Sequence, residues 1–195
     1  MSPETTELAR RLELAQPVHT VRGLAFTAVL DLVAERAGEQ AADCLAQELG
    51  LQRVVDFFSY PAGDFTRLLY AAADRLQPHL GSQQEGLRAC GSACLERFFY
   101  TSTVGRALAK IIGRKDPARA FAHTPVAYST LVNYGSHTCE AVNSRKLRLV
   151  FREDMQPAPF HEGTLAAALR VTGVEGRVTS TIHSLDHAEF FLEWE

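Results

Sequence analysis

The feature that most limits how this chain can fold is a change of hydrophobic period at Gly135. Before it, apolar residues recur at helical spacing; after it, they alternate. A period of 3.6 buries one stripe of a helix, and a period of 2 buries one face of a strand. A helical stretch must therefore meet a sheet. Ser136 to Val142 and Lys146 to Arg152 read as strands around an Asn143-Ser144 turn, with Leu147, Leu149 and Phe151 on one face. Pro157 and Pro159 introduce a helix from Phe160 to Val171, closed by Gly173. Arg177 to His183 and Ala188 to Glu195 follow as two more strands, the second with Phe190, Leu192 and Trp194 on one side. The order β-β-α-β-β predicts an α+β fold: a helical layer packed on a C-terminal four-stranded antiparallel sheet.

Upstream, residues 1–21 read as a polar leader with a short helix over Glu7 to Ala15, and residues 22–195 as one domain, helical over 22–134. Leu24, Phe26, Val29, Leu30, Leu32 and Val33 make the first apolar stripe, which Gly38 stops. Glu39 to Leu49 is a second helix, ended by Gly50. Val54 to Pro61 reads as an irregular linker whose rings insert into the core. A strong amphipathic helix then runs from Asp64 to Pro78. Ser82 with Glu85 has capping-box spacing and opens the next, carrying Leu87, Cys90, Cys94, Leu95, Phe98 and Phe99. Thr103 to Ile112, stopped by Gly113, is a further helix. Asp116-Pro117 starts another, bent near Pro125 and running to about Tyr134.

Composition removes several function classes. The net charge is −3, and the basic clusters Arg10-Arg11, Arg114-Lys115 and Arg145-Lys146 are short, so no nucleic-acid footprint exists. No apolar run approaches the roughly 18 residues of a membrane span. The acidic N-terminus lacks the core of a signal peptide, which makes the cytoplasm the expected location. Cys90 and Cys94 share a helix face; small buried residues at a close helix crossing explain them better than a metal or redox pair.

The candidate chemistry is sparse. No phosphate loop, dinucleotide fingerprint or nucleophile elbow occurs. His161 and Glu162 open the late helix and offer an acid/base pair for a hydrolase-like enzyme, but neighbours on a helix diverge. Glu162 also complements the helix dipole there. His183 and His187 flank the last hairpin beside Asp186; a metal needs three converging ligands, and an ordinary turn explains this group. His137 and Cys139 share a strand face without a second ligand pair. The chain is expected to be no enzyme, with no catalytic, metal or cofactor site. The aromatic group Phe57, Phe58, Tyr60, Phe65 and Tyr70, with Arg67, Tyr128 and His161, is the candidate ligand-binding or interface set. Its ordinary reading is a core anchor.

Arg22-Gly23-Leu24-Ala25-Phe26, Val55-Asp56-Phe57-Phe58-Ser59-Tyr60-Pro61, Asp64-Phe65-Thr66-Arg67-Leu68-Leu69-Tyr70, Tyr134-Gly135, Phe160-His161-Glu162-Gly163 and Glu189-Phe190-Phe191-Leu192-Glu193-Trp194-Glu195 together resemble a family of uncharacterised proteins of about this length, expanded in myxobacteria. More distantly, the element order resembles a superfamily of haem–nitric-oxide-binding sensor domains, four-vinyl-reductase-type domains and TRAPP tethering subunits. That resemblance implies a cavity between helices and sheet, a possible small apolar ligand, and a homodimer or protein partner in signalling or scaffolding. Its haem branch implies an axial histidine, here His123, and a tyrosine–serine–arginine clamp. The strand that would carry the clamp reads Leu149-Val150-Phe151-Arg152, which keeps only the arginine.

Overall fold

The computed structural model describes residues 3–111 and 116–195. The helix stop at Ile112-Gly113 and the Arg114-Lys115 cluster lie outside the described residues. The helical part comprises α1 (Pro3–Leu14), α2 (Gly23–Ala37), α3 (Glu39–Glu48), α4 (Ala62–Leu80), α5 (Gln83–Thr101), α6 (Thr103–Ile111), α7 (Pro117–Phe121) and α8 (Thr124–Leu131). Two short strands, β1 (Thr20–Arg22) and β2 (Ser59–Pro61), pair antiparallel. The C-terminal part is β3 (Ser136–Asn143), β4 (Lys146–Arg152), α9 (Ala158–Val171), β5 (Gly176–Ser184) and β6 (His187–Trp194). Its strands form one antiparallel sheet in the order β3-β4-β6-β5. The α+β fold class is as expected. No helix among the described residues is long and apolar enough to cross a membrane.

Local signals act where expected. Ser82 Oγ accepts the Glu85 N–H at 3.2 Å, so α5 starts on its cap. Asp116 Oδ1 accepts the Arg119 N–H at 3.0 Å and starts α7. Pro78 does not end α4, which continues two residues to Leu80 before Gly81 turns left-handed. The helix expected from Asp116 to Tyr134 is two pieces, α7 and α8.

The leader is more than a polar tail. Arg11 of α1 is 3% exposed. Its guanidinium donates to Glu7 at 2.8 Å, the Tyr70 hydroxyl at 3.0 Å, the Met155 carbonyl at 2.9 Å and the Leu185 carbonyl at 2.6 Å. A buried cation is tolerable only with such partners. These bonds tie α1 to α4, to the loop before α9 and to the β5–β6 turn.

Two apolar cores lie on either side of α9. One joins α2, α3, α4 and α5 around Phe26, Phe65, Leu69 and Leu76. The other packs Leu147, Leu149 and Phe151 of β4 and Phe190 and Leu192 of β6 under Leu165 and Leu169 of α9. The two meet where α5 crosses α9 with almost no side chain between them. A Cβ at Gly91 would lie 1.9 Å from the Phe160 carbonyl oxygen, and one at Gly163 would lie 1.9 Å from the Arg88 carbonyl oxygen.

Candidate functional site

A buried polar seam runs between the two cores, centred on Asp154 in the loop from β4 to α9. The preceding residue, Glu153, has φ +54°, a left-handed conformation uncommon for a residue with a side chain. Asp154 is 5% exposed. Its Oδ2 lies 2.7 Å from His137 Nε2 of β3, and its Oδ1 accepts the Gln156 N–H at 3.0 Å. On the other side, Oδ1 stands 3.4 Å from His161 Nε2 of α9. That spacing is too long for a well-formed hydrogen bond, and Nε2 has no other partner among the described residues. Burial alone would raise the Asp154 carboxyl. The His161 and His137 imidazoles outweigh it and hold the group well below the usual carboxylate range.

His161 Nδ1 is 3.1 Å from the Tyr128 hydroxyl, and the Tyr128 ring stacks on His137 with centroids 4.0 Å apart. Gln156 Nε2 donates to the Tyr134 hydroxyl at 3.0 Å, and Thr66 donates to Gln156 Oε1 at 3.2 Å. The seam thus links α4, α8, β3 and α9. Burial raises the Tyr128 and Tyr134 phenols well above their ordinary pKa, so both stay neutral.

Beside the seam lies an apolar cavity of about 60 Å³, bounded by α5, α7, α8 and α9. Leu95, Phe98, Phe121, Ala127, Leu165 and Ala168 are among its walls, with Tyr128 and His123. The expected position, between helices and sheet, is corrected by one layer. The inward strand residues fill the sheet's own core, leaving a void of only about 10 Å³ near Asp154, Phe151 and Phe190. The larger space lies on the far side of α9.

The predicted aromatic set is dispersed. Phe65 is a core residue packed on Phe26 and Phe160. Tyr70 is buried, and its hydroxyl joins Glu7 and Arg11. Tyr60 is half-buried against Phe26, its hydroxyl accepting the Val55 N–H. Arg67 is exposed and pairs with Asp64. Phe57 and Phe58 are 70% and 56% exposed, which corrects the expectation that the linker's rings all enter the core. The backbone of β2 faces β1, and these two rings precede that pairing on the outside. Tyr128 and His161 are brought together at the seam, and only Tyr128 reaches the cavity wall.

The acid/base pair of the hydrolase-like alternative does not assemble. Glu162 is taken by Arg88 at 2.7 Å and by the Ser180 hydroxyl at 2.6 Å, while His161 turns to Tyr128 and Asp154. Cys90 and Cys94 are buried free thiols, and burial pushes Cys90 up to about 12. Cys139 does not join His137, whose ring is committed to Asp154.

His123, which the distant resemblance implies as an axial haem ligand, lines the cavity. The other residues do not fit that group. A site for an organic cofactor occupies roughly 300 Å³ or more, several times the space available. The inward positions of β4 are Leu147, Leu149 and Phe151, and Arg152 is exposed. Among the described residues no lysine or arginine lines the cavity to hold carboxylates.

The sequence reading missed the third member of one polar group. His183 stands in a β-bulge of β5, and its ring lies 4.5 Å from that of His187. His183 Nε2 is 3.3 Å from Glu189 Oε1. Hydrogen bonds from Arg148 bring the Glu189 carboxyl down to about 2. Desolvation first, then Arg152, hold the His187 imidazole below its ordinary pKa.

Solved structures share this architecture. An H-NOX protein from S. oneidensis in the Fe(II)NO ligation state superposes with TM-score 0.70 and 13% identity, over 89% of this chain and 99% of that one. An Fe(II) unliganded H-NOX mutant from K. algicida gives 0.67 and 14%, over 89% and 96%. A Shewanella oneidensis H-NOX domain in the Fe(II)CO state gives 0.69 and 14%, over 89% and 98%. At such identity the likeness is one of fold alone, and the distant resemblance to haem–nitric-oxide-binding domains read from the sequence holds at that level. No curated protein matches the chain. The residues from 14 to 195 match the DUF2378 family, described as a protein of unknown function, and the chain belongs to that family.

Proposed function

We propose that the chain is a cytoplasmic, non-catalytic binding module for signalling or scaffolding, whose cavity takes an apolar molecule of a few heavy atoms. The wall of the cavity carries this reading. Beyond its apolar side chains, the Thr164 and Thr172 hydroxyls donate to the Phe160 and Leu169 carbonyls at 3.0 and 2.7 Å, and the Tyr128 hydroxyl contacts His161. A buried water needs two to four polar partners, and among the described wall side chains only His123 and Thr124 carry polar atoms outside those bonds, so the space suits an apolar guest. Such a guest gains dispersion contacts and forfeits no hydrogen bond. The H-NOX relatives by fold are described with NO and CO on Fe(II); the scale of those gases is nearer to this cavity than a porphyrin is.

Xenon is the probe. Saturable xenon-induced NMR shifts are expected at Ala127 and Ala168, and Ala168→Leu is expected to abolish them while raising stability by about 1 kcal/mol through cavity filling. Shifts that persist in Ala168→Leu would place the guest elsewhere. Added hemin is expected to give no Soret band that depends on His123. A band lost in His123→Ala would replace this reading with the haem one.

The same reading has the module act as a homodimer or with a protein partner. Phe57 and Phe58 supply the apolar surface, their rings edge to face at 4.8 Å in solvent. Sedimentation velocity is expected to give a dimer that the paired change Phe57→Ser and Phe58→Ser dissociates. A wild-type monomer at all concentrations would remove this part of the proposal.

A further inference from the structure

We propose that His183, His187 and Glu189 form a binding site for a zinc-class divalent metal ion on the outer face of the sheet, with the remaining coordination position open to solvent. One donor atom from each residue lies within 4.8 Å of the other two, and among the described residues no other histidine, cysteine and carboxylate group comes as close. The 3.3 Å between His183 Nε2 and Glu189 Oε1 is the separation of two ligands each about 2 Å from a tetrahedral ion. His187 must close further, and its Nε2 is shielded from solvent with no hydrogen bond, so nothing among the described residues uses it already.

The scaffold around the three residues is held. The bulge places an extra residue, His183, opposite His187, and bulges recur where a strand must re-aim a side chain. The turn between them is pinned from below: Arg11 donates to the Leu185 carbonyl, and the Asp154 N–H to the Asp186 carbonyl at 3.2 Å. Arg148 grips both Glu189 oxygens at 2.9 and 2.7 Å. A carboxylate keeps lone pairs beyond those two bonds, and metal-bound carboxylates are commonly oriented in this way. Two imidazoles and one carboxylate select a borderline ion over magnesium or calcium, which prefer oxygen. Arg152, paired in register with His187, opposes a cation, and Asp186 in the turn favours it.

Titration of the full chain with Co²⁺ reports both stoichiometry and ligand type. One ion per chain is expected, with the visible bands of a nitrogen–oxygen site, displaced by Zn²⁺ and not by Mg²⁺. His183→Ala and His187→Ala are each expected to weaken binding at least about tenfold. His183 is the exposed member, so its variant keeps the fold, which circular dichroism checks. A thiolate charge-transfer band would put the ion on a cysteine such as the exposed Cys44 and overturn the proposal. So would the absence of saturable binding, or affinity unchanged in both histidine variants.

Discussion

Gly91→Ala is expected to destabilise the protein by about 3 kcal/mol, lowering Tm by roughly 6–12 °C for a chain of this size. The sign is the informative part. Glycine inside a helix ordinarily costs up to about 1 kcal/mol relative to alanine, so the same change elsewhere in a helix helps. At Gly91 the added methyl would stand 1.9 Å from the Phe160 carbonyl oxygen and 2.8 Å from the Thr164 nitrogen. Both are backbone atoms of α9, and no rotamer change relieves the contact. The helices must separate, opening the crossing that joins the two cores. Gly63 in α4 is the control, because its nearest neighbours to an added methyl are side-chain carbons at 3.6 Å. Gly63→Ala is expected to hold or raise the melting temperature. Thermal unfolding of the two variants side by side decides it: equal shifts of the same sign would mean that the α5–α9 crossing is not close-packed.

Asp154→Asn is expected to cost about 3 kcal/mol near neutral pH, because it removes the buried carboxylate that His137, His161 and the Gln156 N–H face. It also predicts a change in pH dependence. The folded Asp154 carboxyl titrates well below its unfolded value of about 3.9. In the window between the two, the unfolded chain binds more protons than the folded one, so stability rises with pH there. The contribution is complete above the unfolded pKa and is lost as pH falls through the folded one. Urea unfolding from about pH 6 downward is therefore expected to show a steep loss below about pH 4 in the wild type and a flatter limb in Asp154→Asn. Parallel limbs would show that the seam does not rely on an ionised Asp154.

The sequence alone determined the elements whose signal is local. The alternation after Gly135 specified two hairpins around a helix, and the buried face of β4 is the one with Leu147, Leu149 and Phe151. Ser82 and Asp116 marked helix starts because a cap needs only the next three residues. The three-residue strands β1 and β2 escaped notice: alternation cannot register in so short a run, and their pairing joins distant segments. The exposure of Phe57 and Phe58 was equally hidden, since a ring is buried only if another element covers it. The seam, and the meeting of Glu189 with the His183–His187 pair, belong to the tertiary structure. Asp154 meets His137 through a strand register, His161 through the entry of α9, and Glu189 meets His183 across a bulge. Periodicity states which way a side chain leaves its own backbone, and only the packing of separate backbones decides what it meets there.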